Sequence, residues 1–259
     1  MSTLRPAVST LRLPGKRTCL FCGAAGPLTK EHVYPLWLYR AIGLVGPVTT
    51  VYDRAGVETD RRTSRNFDTT LREVCATCNH GWLHDLERSF RAVLLPAIAN
   101  SGPVVLSSDS QRVVALWAVK TWLLAELAHE RSRHGGVRAP GALRVLRERN
   151  APPAWTQVWL GAVRSRNEFA TWLSTLNVVD ASGAKLGVFG LLTIGAAVFA
   201  IYGPHTVNER VQRMVIRTQA LSQIWPNKVE EVRWPTTTVL SAADIERLWP
   251  SGGTIVLPE

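Results

Sequence analysis

The chain has 259 residues, 46% of them hydrophobic, with ten tryptophans, enough for one large domain or two ordinary ones, with a sizeable core. A formal charge of +10 points to an anionic partner. The N-terminus carries no apolar run and is broken by Pro6 and Pro14, which argues against a signal peptide and for a cytoplasmic protein.

The charge is uneven. Residues 1–17 carry Arg5, Arg12, Lys16 and Arg17 with no acid, and residues 131–149 carry six arginines against Glu148 alone. Arginine outnumbers lysine 25 to 5, a bias that codon usage also produces, so the charge supports nucleic acid only in part.

In chain order, residues 1–17 read as a flexible basic arm. Residues 18–28 hold Cys19 and Cys22 and a turn through Gly23, Gly26 and Pro27. Thr29–Val33 is predicted to be strand-like and to present His32. Pro35 opens a short helix over Leu36–Ile42, Val48–Tyr52 reads as a strand, and the polar, arginine-rich run Asp53–Arg72 reads as a long loop. A helix is expected from Asn79 to about Ala99, with Trp82, Leu86, Phe90 and Leu94 as its apolar stripe and Pro96 kinking or ending it. Ser108 or Asp109 caps the next helix, from Ser110 to about His129. Lys120 inside it reads as a snorkelling lysine, with a phosphate contact as the alternative. Ala142–Arg149 is expected to be a short basic helix.

Beyond Pro152-Pro153 the texture turns strand-like: Thr156–Val163, Val188–Ile194, Ala197–Tyr202, Met214–Arg217 and Thr254–Leu257. Glu168–Leu176 reads as a helix. Ser241 and Asp244 form a capping box that starts a helix over Ala242–Leu248. The apolar run Leu186–Gly203 is near the lower limit of a membrane span, but its glycines and β-branched residues favour two buried strands joined near Thr193–Gly195. No internal repeat is present. A boundary near residues 100–105 divides the chain into an arm (1–17), a cysteine module (18–100) and an α+β region of unknown role (101–259).

All four cysteines lie in two C-x-x-C pairs, Cys19/Cys22 and Cys75/Cys78. Each pair can grip a metal from a tight turn, and together they make a closed four-sulfur structural zinc site. Two disulfides, or four unrelated thiols, are the competing reading.

Glu31-His32 lies between the pairs, and Asn79 directly follows the second. With the runs TKEHVYPLWL and CATCNHGWLHDLE, this pattern resembles the HNH (ββα-metal) endonucleases, in their four-cysteine zinc subgroup and as stand-alone bacterial or phage proteins. The resemblance covers roughly the first third of the chain. It implies an α+β fold: an N-terminal zinc-stapled ββα-metal module, then a helical segment and a mixed α/β region. It also implies a phosphodiester hydrolase that nicks or cuts nucleic acid, expected to be double-stranded DNA. His32 would be the general base, and Glu31 and Asn79 would bind one catalytic Mg2+ or Mn2+. Lys30 could touch phosphate.

Other readings stand beside these. His32 and Glu31 could be ordinary surface residues, and Asn79 a helix N-cap. His80 and His84, four apart on one helix face, are the alternative metal ligands. Glu87 is expected to hold the helix or an arginine through a salt bridge. Adjacent strand residues face opposite ways, so Glu31 and His32 share a site only if a turn or bulge rotates one, or if His32 reaches it through substrate. Glu31 stands where aspartate is commoner. The gap from His32 to Cys75 is long, and the asparagine that in this family orients the catalytic strand is missing, Asn66 being the nearest. A non-catalytic zinc module binding nucleic acid or a protein is the second function, RNA a further target, and a homodimer or regulatory partner possible for residues 101–259. Most tryptophans there should be core.

Overall fold

In the computed structural model, which describes residues 17–54, 57–65, 67–99, 102–131, 140–164, 171–204, 218–241, 243–245 and 254–256, helices and strands mix as an α+β chain. The arm 1–16, Asn66, the basic stretch 132–139, the strand expected at Met214–Arg217 and residues 246–250 lie outside the described residues. Strand β1 (Leu28–His32) pairs antiparallel with β4 (Thr70–Cys75). Helix α1 (Leu36–Ala41) and the antiparallel ribbon β2 (Val48–Arg54) and β3 (Val57–Ser64) come between them in sequence.

That ribbon corrects the long loop expected over Asp53–Arg72. Polar, arginine-rich sequence argues against burial, not against pairing, and an antiparallel ribbon can keep a face in water. Its threonines meet across the strands, Thr49 and Thr63 with hydroxyls 3.0 Å apart.

Cys78–Leu83 forms a π-helical turn that runs straight into α2 (His84–Ile98). The expected stripe holds: Leu86, Phe90 and Leu94 are buried and Trp82 half-buried. Pro96 lies in the last turn of α2, which ends two residues later at Ile98. After β5 (Val104–Ser107) comes α3 (Ser108–Arg131), capped one residue upstream of the expected pair, where Ser107 Oγ accepts the Ser110 N–H at 3.3 Å. Phe90 stacks on Trp117 of α3 at 3.8 Å and 10°. The short basic helix is present as α4 (Pro140–Arg149).

The remaining strands are β6 (Gln157–Ala162), β7 (Thr171–Val179), β8 (Lys185–Ile194), β9 (Ala197–Pro204), β10 (Leu221–Trp225), β11 (Glu231–Trp234) and β12 (Thr254–Val256). Six of them form one sheet in the order β10-β6-β9-β8-β7-β12, and β11 pairs with β5. β7 corrects the helix expected at Glu168–Leu176, of which 168–170 lie outside the described residues. Its β-branched and aromatic residues pair with β8 from Thr171↔Ile194 onward, and that cross-strand pairing outweighs a short stretch of helix-like spacing.

The apolar run Leu186–Gly203 is the β8–β9 hairpin, and no helix among the described residues is long and apolar enough to cross a membrane. Its turn holds Gly195 at φ +56°, where an added Cβ would stand 2.5 Å from the carbonyl oxygen of Ile98 at the end of α2. The β8–β9 turn thus packs directly on the end of α2, with the Ile42 and Ile98 side chains beside it. One apolar cluster runs through both parts of the chain, taking in Phe21, Leu83, Phe90, Trp117, Phe199 and Trp234. Trp159, Phe189 and Tyr202 belong to a second cluster on the sheet. The capping box is formed, Asp244 accepting from the Ser241 N–H at 2.9 Å and Ser241 Oγ from the Asp244 N–H at 3.2 Å.

Candidate metal centre and adjoining cavity

The first cysteine pair sits in a turn closed by Gly23 N–H donating to Cys19 O at 2.8 Å. Gly23 has φ +72°, a left-handed conformation that favours glycine, and the Arg144 guanidinium of α4 lies over it. Leu20 N–H donates to Glu73 O at 3.0 Å and so ties this turn to β4, which delivers Cys75 at its end. Cys78 follows at the start of the π-helical turn.

The four sulfurs lie within 4.8 Å of one another, with Cys22 and Cys75 Sγ 3.7 Å apart. All four thiols are free, which removes the disulfide reading, and they are close enough to hold one metal ion. Burial pushes the Cys19 thiol up, but the backbone amides around it outweigh this and bring it down to about 7. Burial, reinforced by the neighbouring thiols, pushes Cys78 far up. Four sulfurs this close cannot all be thiolates without a cation among them.

Asn79, next along, is not the N-cap it could have been: the chain is already helical at Ala76 and Thr77. Its Nδ2 donates instead to Lys30 O and to Thr29 Oγ1 of β1, both at 2.9 Å, and Thr29 Oγ1 donates on to Val74 O at 2.8 Å. The reason lies in β1. A bulge between Thr29 and Glu31 drops Lys30 from the ladder, and the asparagine takes its carbonyl. With both amide hydrogens spent, Oδ1 is left to accept. Asn79 thus ties β1 to the start of the helix.

This clamp closes one end of a cavity of about 350 Å³ lined by Glu31, Asn79, His80, Leu83, His84 and Glu87. Glu31 is buried, while His80 and His84 are exposed. Behind the two acids stands Lys120, fully buried, which corrects the snorkelling expectation. Its Nζ is 3.5 Å from Glu87 Oε1 and 3.9 Å from Glu31 Oε1. Glu87 does form a salt bridge, to this lysine. Burial raises the Glu31 carboxyl to about 7, opposed by Lys120 and reinforced by Glu87. Among the described residues the cysteines are the one group of three or more His, Cys, Asp or Glu donors close enough to hold a metal ion, so the cavity's donors do not form a closed shell.

His32 is half-buried and does not line the cavity. Glu31 pairs with Leu71 and His32 with Thr70 in unbroken register, so the pleat turns them to opposite faces. The bulge comes one step too early to rotate either toward the other. Lys30 is exposed beside the clamp. Lys120 and the clamp were the features hidden from sequence. A lone lysine amid VVALWAVKTWLLAELA was the available signal for the first, since a buried lysine must either lose its proton or find an anion. Compared with known protein families, curated proteins and solved structures, the chain matches none.

Proposed function

We propose that this chain is an HNH-type endonuclease, a phosphodiester hydrolase that nicks or cuts DNA, built on a zinc-stapled ββα-metal module. The observation that carries the reading is the cavity between β1 and the start of α2, where Glu31, Asn79, His80 and His84 meet beside a four-cysteine cluster. Zinc suits that cluster. Bonds of about 2.3 Å to sulfur place the corners of a tetrahedron about 3.8 Å apart, against 3.7 Å between Cys22 and Cys75. Four sulfurs leave no open position, so this ion is structural and locks β4 to α2.

The cavity's oxygen donors fit a second cation of a different kind. A carboxylate and an amide oxygen suit a hard ion that keeps several waters, Mg2+ or Mn2+. Bound there, such an ion supplies charge relief to a phosphate and to the departing oxygen. Asn79 sets β1 against the helix, and Glu31 turns an oxygen into the cavity. Lys30, exposed at the edge, meets the phosphate backbone. An imidazole takes the proton of the attacking water near neutral pH. His32 does so for a phosphate that straddles β1; His80 and His84 are the imidazoles inside the cavity.

The test is conversion of supercoiled plasmid by zinc-replete protein with Mg2+ or Mn2+, with single-stranded DNA and RNA as parallel substrates. Glu31→Gln is expected to abolish cutting, and comparison of His32→Ala with His84→Ala assigns the base. Cutting that survives Glu31→Gln unchanged ends the hydrolase reading. A non-catalytic zinc module that binds nucleic acid or protein is the second reading, favoured by the placement of His32 away from Glu31. Salt-dependent DNA binding with no cleavage in any metal would establish it.

A further inference from the structure

Lys120 comes from the middle of α3, outside the cysteine module, yet its ammonium reaches the back of the cavity. It is fully buried, with its Nζ 5.4 Å from the Trp117 ring centre, and that ring is held by stacking on Phe90. A lysine taken wholly out of water either gives up its proton or needs anions that compensate it. Here two do, and neither is tightly docked: 3.5 Å and 3.9 Å exceed the roughly 2.7–2.9 Å of a strong charged hydrogen bond. Both contacts use Oε1 of the carboxylates.

We propose that Lys120 is the resident counter-cation of this cavity: it holds Glu31 and Glu87 together when no divalent ion is bound, and by its charge it keeps a bound ion weakly held and exchangeable. This rests on the reading of the cavity as a cation site. Two carboxylates in one cavity repel, and the ammonium between them offsets that repulsion. When a divalent ion enters beside the same carboxylates, the ammonium becomes a like charge a few ångströms away and opposes it. Lys120 is therefore a positioning residue, and α3 becomes part of the site rather than an appendage to it.

The experiment measures Mn2+ binding to the full, zinc-replete chain by loss of the free-ion EPR signal, alongside the melting temperature with and without Mn2+. Four proteins are compared: wild type, Lys120→Met, Lys120→Arg and Glu31→Gln. Lys120→Met is expected to melt lower without Mn2+, to bind Mn2+ at least tenfold more tightly, and to gain more in melting temperature from it than wild type does. Lys120→Arg keeps the charge and should restore wild-type behaviour. Where Lys120→Met does not accumulate folded, Lys120→Gln, which leaves a neutral donor between the acids, serves the same comparison. A lysine that merely filled space would lower the melting temperature and leave Mn2+ affinity untouched. Mn2+ binding that is lost in Glu31→Gln but unchanged or weaker in the neutral Lys120 variants overturns the assignment and spares the cation site. No Mn2+ binding by wild type, or binding unaffected by Glu31→Gln, overturns both.

Discussion

Glu31 is the residue on which the local electrostatics turn. Its carboxyl is raised to about 7 from an ordinary 4.5, chiefly by burial. A raised carboxyl binds its proton more tightly folded than unfolded. Its contribution to stability is therefore fully present below about pH 4.5 and is lost as pH rises through about 7, a change on the order of 3 kcal/mol. Zinc-replete protein without Mg2+ or Mn2+ should lose stability across that window in urea titrations, and Glu31→Gln should flatten the slope. An equal slope in the variant would assign the loss to other groups. Asn79 gives a second residue-scale prediction. Asn79→Ala removes two hydrogen bonds and leaves the Lys30 carbonyl without its partner. A loss of about 1–3 kcal/mol is expected from the urea midpoint, with the four-cysteine metal retained. Spacing alone put Asn79 beside the second cysteine pair but left open whether it capped the helix or met something else. Its partners, Thr29 and Lys30, are 50 and 49 residues away in sequence, a distance local pattern does not span.

Among the elements, those with a strong local signature were legible. The stripe through Leu86, Phe90 and Leu94, the Ser241/Asp244 capping box and the β8–β9 hairpin needed no partner to be read. The misreadings share one cause: β3 is polar and β7 looks helical over a few residues, and each is a strand because another strand pairs with it. Gly195 is a sharper case. Its φ of +56° and the Ile98 carbonyl 2.5 Å from an added Cβ leave no room for a side chain. Gly195→Ala should cost on the order of 1–3 kcal/mol for the backbone alone, measured as a lower denaturant midpoint at unchanged slope. A neutral substitution would mean that the hairpin turn and the end of α2 separate freely.

At the scale of the molecule, the cysteine module and the rest of the chain share one apolar cluster, so neither is finished by itself. Phe90 loses its stacking partner if α3 is absent. A fragment of residues 18–100 is thus expected to lack a cooperative melting transition even with zinc added, whereas the full chain melts as one transition by calorimetry. Removal of the cysteine-bound metal tests the other tie. With four closely spaced thiols left uncompensated, a chelator should lower the melting temperature of the full chain, and Cys75→Ser should do so without chelator.

By itself the amino-acid order determined the two cysteine pairs that meet, the helix behind them and the acidic, amide and imidazole side chains nearby. Ligand spacing and helical period are properties of neighbours along the chain. Only the tertiary structure decided which side chains face one cavity. The register of β1 on β4 sends Glu31 inward and His32 away, and the packing of α3 on α2 brings Lys120 between two acids, one of them 89 positions earlier in the chain. Such contacts depend on burying one apolar cluster from both parts of the chain, and that is a property no window of sequence contains.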